Sequence, residues 1–168
     1  DTPAAEQWAE NRTTFQRVYE TVLGTTEYVS VWTVAQRATC SETAARAALE
    51  QLVEMGIAER RDSRPAVYRR NGSYTTWRRV ESLAEEHDTE TLRARLADLV
   101  GEEQSLRDQF DAPEPDAIST ADLPVGDHEA VERRWEALSE WRTVKRDIRV
   151  LRRAVERAGA TGDDTATA

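Results

Sequence analysis

Residues 41–70 read SETAARAALEQLVEMGIAERRDSRPAVYRR, and the fold turns on how this stretch divides. Ala45, Ala48, Leu49, Leu52 and Val53 recur at i, i+3, i+4, i+7 and i+8. That spacing puts all five on one buried face of a helix. Ser41 stands before them as an N-cap whose hydroxyl can take an orphan amide, and Gly56 closes the helix. Two short strand-like runs follow, Ile57–Arg61 and Ala66–Arg70, joined by Asp62, Ser63, Arg64 and Pro65. Pro65 excludes helix from the joint and favours a turn.

Working upstream, Phe15, Val18, Tyr19, Val22 and Leu23 repeat the same five-term spacing, which predicts a first helix at about 12–23. Gly24 follows where a left-handed C-terminal cap is wanted. Residues 28–31 are short and β-prone, and a second helix is expected from about 32 to 38 with Val34, Ala35 and Ala38 facing inward. Thr39, Cys40 and Ser41 form the turn into the third helix. Helix, short strand, helix, tight turn, helix and two-stranded ribbon is the order of a winged helix-turn-helix. The sequence therefore predicts such a domain over residues 11–79, after a loose lead-in at 1–10 in which Trp8 has no assigned role.

Downstream the character changes to long helices. Leu92, Leu96, Leu99, Leu106 and Phe110 form a heptad seam, with Glu103 at its one missing apolar position, and define a helical extension over 80–110. Residues 111–127 are acidic, contain three prolines and read as a linker. A last helix over 128–158 carries Trp141, Val144, Ile148, Leu151, Val155 and Ala158 at alternating three and four spacing. A small, polar tail over 159–168 is expected to be disordered. The fold class is thus mostly α with a small β-wing: a winged helix-turn-helix followed by long C-terminal helices, as a helical hairpin or a coiled coil. Trp141, Val144, Ile148, Leu151 and Val155 are the dimerisation candidates, although the two seams can equally pair within one chain. Trp32, Trp77, Trp135 and Trp141 read as packing anchors, with Trp32 open to solvent unless a C-terminal helix covers it.

Charge shows where a partner would bind. The chain carries 32 acids against 23 bases, a net −9, and all but one of the bases are arginine. An acidic surface with arginine over lysine suits molar salt, and a GC-rich genome would favour it too. The distribution says more than the sum. Residues 11–79 hold eleven arginines against seven acids, whereas 80–127 hold three against fourteen. Residues 142–157 carry seven bases and two acids, and are expected to lie against the acidic 80–127 stretch.

Within the basic region the third helix offers Ser41, Glu42, Thr43 and Arg46 at its N-terminal end and carboxylates toward its C-terminal end. A recognition helix entering the major groove by its first turns would be patterned this way. Arg46 suits a bidentate contact to a guanine edge, Thr43 a thymine methyl and Glu42 a cytosine amino group. Ser41 suits a phosphate at the helix N-terminus. Arg60, Arg61, Arg64, Arg69 and Arg70 crowd the ribbon, with Arg64 at the tip for a minor groove and the others for phosphates. Arg37 is a further phosphate candidate. Five such contacts give a salt slope of about −4.5, so 2 M salt would remove roughly six decades of affinity relative to 0.1 M.

Cys40, Ser41, Glu42, Thr43, Ala44, Ala45 and Arg46, with Leu49, Leu52, Gly56, then Ser63, Arg64, Pro65 and Tyr68, resemble the ArsR-like winged-helix proteins of halophilic archaea. The segment Asn71 to Arg79 is similar to the lead into the C-terminal helices of an uncharacterised subfamily there, and the resemblance covers about residues 12–110. It implies a winged-helix fold, a transcriptional role, a recognition helix bearing Ser41, Glu42, Thr43 and Arg46, and a wing tip at Arg64. The paired-cysteine metal-sensing motif of arsenic sensors is missing, so metal sensing is not implied.

The expected function is sequence-specific binding of double-stranded DNA by a dimeric transcription regulator in the cytoplasm. The alternative is a winged-helix scaffold for protein contacts in a transcription or chromosome-segregation complex. No catalytic residues, metal ligands, cofactor or small-molecule effector are expected: Cys40 is the lone cysteine, and His87 and His128 lack ligand spacing. No apolar run reaches the roughly 18 residues of a membrane span.

Overall fold

A computed structural model describes residues 12–119 and 126–164, with side chains described to residue 160. The lead-in with Trp8, most of the second half of the 111–127 segment and residues 165–168 lie outside the described residues. The chain divides into two compact units, one ending at Trp77 and the other starting at Arg78.

The first unit contains α1 (Thr14–Leu23), β1 (Val29–Ser30), α2 (Val31–Ala38), α3 (Glu42–Glu54), β2 (Ala58–Arg61) and β3 (Val67–Arg70). Thr13 opens α1 with a reciprocal capping box: its hydroxyl accepts from the Gln16 amide at 3.2 Å, and the Gln16 side chain accepts from the Thr13 amide at 2.9 Å. Gly24 ends α1 in the right-handed region at φ −84°, not the left-handed one its residue type suggested. From that conformation its amide reaches the Glu20 carbonyl at 3.4 Å and the Thr25 amide reaches that of Val22 at 2.9 Å, so no positive φ is needed. Left-handed residues follow later helices, among them Thr39 after α2 and Gly56 (φ +76°) after α3, where the Ile57 amide reaches back to the Leu52 carbonyl at 2.9 Å.

The three strands form one antiparallel sheet in the order β1-β3-β2. Val29 pairs with Tyr68, and Arg60 pairs with the same Tyr68 from the other side. Tyr68 is buried and packs with Val18, Val22, Val34, Ala45, Leu49 and Leu52, so the sheet closes one side of the three-helix core. Asn71 ties the end of the sheet to α3: its side-chain amide donates to the Gly56 carbonyl at 2.9 Å, and its backbone amide to that of Ile57 at 2.8 Å.

α4 (Gly72–Glu86) contains the boundary between the units. The extension expected as one stretch over 80–110 is broken at His87, because Asp88 caps a new helix, α5 (Thr89–Phe110), by accepting from the Thr91 amide at 2.7 Å. The second unit is completed by a 3-10 turn (Pro115–Ala117) and α6 (His128–Asp164). α6 runs through Gly159 rather than stopping there. One interior glycine costs a helix only about 1 kcal/mol, and Ala158 and Ala160 on either side are strong helix formers.

Leu92, early in α5, packs with Val150, Leu151 and Ala154, while Leu106 and Phe110 pack with Leu138, Trp141 and Val144. α5 and α6 are therefore an antiparallel hairpin within one chain. The described part of the linker is not a free tether, since Pro115 is buried and Ile118 packs onto the same cluster. The seam set aside for dimerisation is occupied internally: Trp141, Val144, Ile148 and Leu151 are buried, and Val155 packs against their cluster. A contact between chains would need another surface. Glu103, at the polar break in the α5 seam, is held by Arg107 one turn on at 3.2 Å.

The charge asymmetry is met in part inside this unit. Arg157 meets Glu81 at 2.9 Å, Arg142 meets Asp116 at 3.4 Å, and Lys145 meets Glu114 at 3.6 Å. Of the four tryptophans read as anchors, Trp141 alone is buried. Trp32 and Trp77 are 58% exposed and Trp135 45%. The seam spacing identified Trp141; Trp77 lies tilted against the Tyr74 ring at 6.0 Å between centroids, and Trp32 and Trp135 are exposed.

Candidate nucleic-acid interface

Three exposed positions on α3 share one end. Glu42, Thr43 and Arg46 all face solvent, while Ala45, Ala48, Leu49 and Leu52 turn to the core. Ser41 caps the helix by accepting from the Ala44 amide at 3.2 Å. Its oxygen is thereby used within the protein, and the hydroxyl proton is what it has to offer a phosphate.

The turn before α3 is fixed by a side chain the sequence did not single out. Arg17 of α1 donates through Nε to the Ala38 carbonyl at 2.9 Å and through Nη2 to that of Thr39 at 3.3 Å. A cation there meets the negative end of α2. Thr39 itself sits in the left-handed region at φ 53°, an uncommon place for a β-branched residue. Cys40 is half-buried in this turn, and burial pushes its thiol pKa up against the opposing pull of Arg17, so it is not poised as a thiolate.

The ribbon arginines separate into two kinds. Arg60, Arg61 and Arg64 are exposed. Arg64 lies between the strands with no ion pair among the described residues, Arg60 meets Asp62 at 3.0 Å, and Arg61 rests its guanidinium 4.4 Å from the centroid of the Tyr28 ring. Arg69 and Arg70 are half-buried. Arg69 is held by Glu59 at 2.8 Å and also lies 4.4 Å from the Tyr28 ring. The hydrogen bond it donates to Glu59 raises the Arg69 pKa further, leaving it fixed as a cation. Arg70 turns to the core side, opposite Ala58, and donates to the Leu23 carbonyl at the end of α1 at 3.2 Å. Its expected phosphate role gives way to a structural one, because its guanidinium satisfies an orphan carbonyl there.

Tyr28 is the other residue that sequence reasoning missed. Extending the β1–β3 register by one residue sets it opposite Arg69, on the outer face of the sheet with Arg61. Two cations over one ring hold the base of the ribbon in place. Arg37 and Arg46 are exposed and, like Arg64, make no ion pair among the described residues. Three unpaired guanidiniums on the end of α2, the start of α3 and the ribbon tip thus remain in a chain with 32 acids.

A family model matches residues 12–157, nearly the whole described chain. The protein belongs to DUF7342, a family of unknown function. No curated protein and no solved structure matches the chain. The function of this DUF7342 member must therefore be argued from its own residues. Among the described residues there is no group of three or more His, Cys, Asp or Glu side chains placed to hold a metal ion, and no helix is long and apolar enough to cross a membrane.

Proposed function

We propose that this DUF7342 chain is a winged helix-turn-helix protein that binds double-stranded DNA, with α3 as recognition helix and the β2–β3 ribbon as wing, and that it acts as a dimeric transcription regulator. The observation that carries the reading is the exposed first turns of α3, where Thr43 and Arg46 face solvent in the same unit as the exposed Arg37 and Arg64. A helix end open to solvent, with positive backbone amides and an unopposed guanidinium, suits entry into a major groove. Arg46 is assigned to base reading, Thr43 and Glu42 to neighbouring base edges, Arg64 to the minor groove, and Arg37, Arg60 and Arg61 to phosphates. Arg69 is withdrawn to a supporting role behind Arg61. The homodimer belongs to the proposal on a surface other than the α5–α6 seam.

The test is genome-wide DNA capture with the parent chain and with Arg46→Ala. Discrete sites for the parent that disappear in the variant are expected, and a uniform profile for both refutes the reading. A second reading, a protein-binding scaffold, is favoured by Trp32, which α2 presents 58% exposed. Trp32→Ala separates the two, because it should abolish capture of a protein partner in a scaffold while leaving DNA sites unchanged in a regulator.

A further inference from the structure

On α6, Arg142, Arg146, Arg149 and Arg153 follow one another at spacings of four, three and four residues, and all four are exposed. That spacing aligns them on one face, away from the buried Trp141, Val144, Ile148 and Leu151. Arg152 flanks them one turn after Arg149. Arg142, at the near end, shares Asp116 at 3.4 Å, and Arg146 reaches only the Thr143 hydroxyl at 3.4 Å. Arg149, Arg152 and Arg153 have no ion pair or hydrogen bond among the described residues. Neutralisation by the acidic stretch thus reaches Lys145, Arg142 and Arg157 and stops there.

Beyond the contact of Arg142 with Asp116, the arrangement does nothing for the fold. Arg142 with Arg146, and Arg149 with Arg153, are like charges one turn apart, a spacing at which they repel and weaken a helix. A chain with a net charge of −9 has no need of them for solubility. The only acids from 142 to 157 are Asp147, which turns to Arg79 at 3.6 Å, and Glu156.

We propose that this stripe is a second nucleic-acid contact, which grips the phosphate backbone of duplex DNA without regard to sequence. Arg142 to Arg153 rise about 16.5 Å along the helix, close to five phosphate-to-phosphate steps of one strand at about 3.4 Å each along the duplex axis. Guanidinium forks match phosphate oxygens. The footprint ends at Glu140, with Glu136 and Glu132 beyond it. A membrane surface is a poorer fit, since the apolar face of α6 is already buried against α5 and nothing is left to insert. The proposal does not rest on the reading of α3 and the wing, because the stripe belongs to the second unit.

The test is fluorescence anisotropy of the full chain with a duplex of arbitrary sequence across a salt series, comparing the parent, Arg146→Gln/Arg149→Gln/Arg153→Gln, and Arg46→Ala/Arg64→Ala. Losing three phosphate contacts should flatten the log–log salt slope by about 2.7, so the parent's advantage shrinks roughly 40-fold between about 0.05 and 0.2 M salt. Glutamine keeps helix propensity, and unchanged circular-dichroism melting checks the fold. If the triple variant melts early, Arg149→Gln alone should flatten the slope by about 0.9. An unchanged slope overturns the proposal, as does a parent chain that binds no DNA at low salt. So does an unchanged slope with lost binding to phosphatidylserine vesicles, or with a changed mass in light scattering, which would assign the stripe to a membrane or to a second copy. A flattened slope in the stripe variant beside an unaffected Arg46→Ala/Arg64→Ala pair upholds the stripe and removes the recognition-helix reading. The converse result upholds that reading and removes the stripe.

Discussion

Arg64 and Arg70 are six residues apart on the same basic ribbon, and the structure gives them opposite behaviour under the same substitution. Arg70→Ala removes a charged donor from the Leu23 carbonyl at 3.2 Å. A hydrogen bond to a charged group is worth about 1.5–3 kcal/mol, and a cation at a helix C-terminus adds about 0.3–1 kcal/mol when exposed. Because Arg70 is half-buried, we take the low end, about 1.5–2 kcal/mol. For a chain of this length that lowers the melting temperature by about 3–8 °C. Arg64→Ala removes no ion pair of the described residues and should move melting by no more than about 2 °C, within the scatter of surface substitutions. In DNA binding the order reverses. Arg64→Ala should flatten the salt slope by about 0.9, while Arg70→Ala, measured well below its melting point, should leave the slope unchanged. Scanning calorimetry and a salt series of anisotropy titrations give both quantities. An Arg70→Ala chain that melts normally but loses a unit of slope would show that its guanidinium belongs to the ligand and not to α1.

Three further outcomes follow from particular contacts. Thr39→Gly should stabilise the fold by about 0.5–1 kcal/mol in urea unfolding, because relief of a left-handed β-branched residue outweighs the added entropy of a glycine in the unfolded chain. Trp141→Ala should cost about 3–5 kcal/mol, whereas Trp141→Phe should stay within about 1 kcal/mol of the parent. Phenylalanine keeps the stack on Phe110, with ring centroids now 5.7 Å apart, and removes an indole N–H that is buried without a partner among the described residues. The Asp88 carboxyl is held below its ordinary pKa by the Thr91 backbone and side chain. Its contribution is complete above the ordinary aspartate range and is lost as the pH falls through its lowered folded value. Asp88→Asn should keep the cap and remove that acid sensitivity, read as the difference in α5 hydrogen exchange between neutral and acid pH.

The helices were legible because their apolar residues keep strict time. The five-term spacings of α1 and α3 point to Val18, Val22, Leu49 and Leu52, all now in one core. The strand at Val29 and Ser30 was visible only as β-prone residues, since two residues carry no period. What the sequence hid was register. Arg69 and Arg70 differ by one position, and one position in a strand is the difference between the outer face with Tyr28 and the core face beside α1. Without the pairing of β2 with β3 nothing distinguishes them from Arg60 and Arg61. The α5–α6 seam left pairing within or between chains open, because a heptad pattern states that a face is buried and not which chain buries it. The role of Arg17 was out of reach altogether, as the partners it holds in the turn are carbonyls more than twenty residues away, and carbonyls leave no trace in residue type.

The Arg17 clamp also bears on the heat of recognition. With the carbonyls of Ala38 and Thr39 already held from α1, the elbow leading into α3 is assembled in the free protein. Docking of that elbow would then proceed as a rigid body, with a small negative heat-capacity change that tracks the surface covered and no added signature of a segment folding on contact.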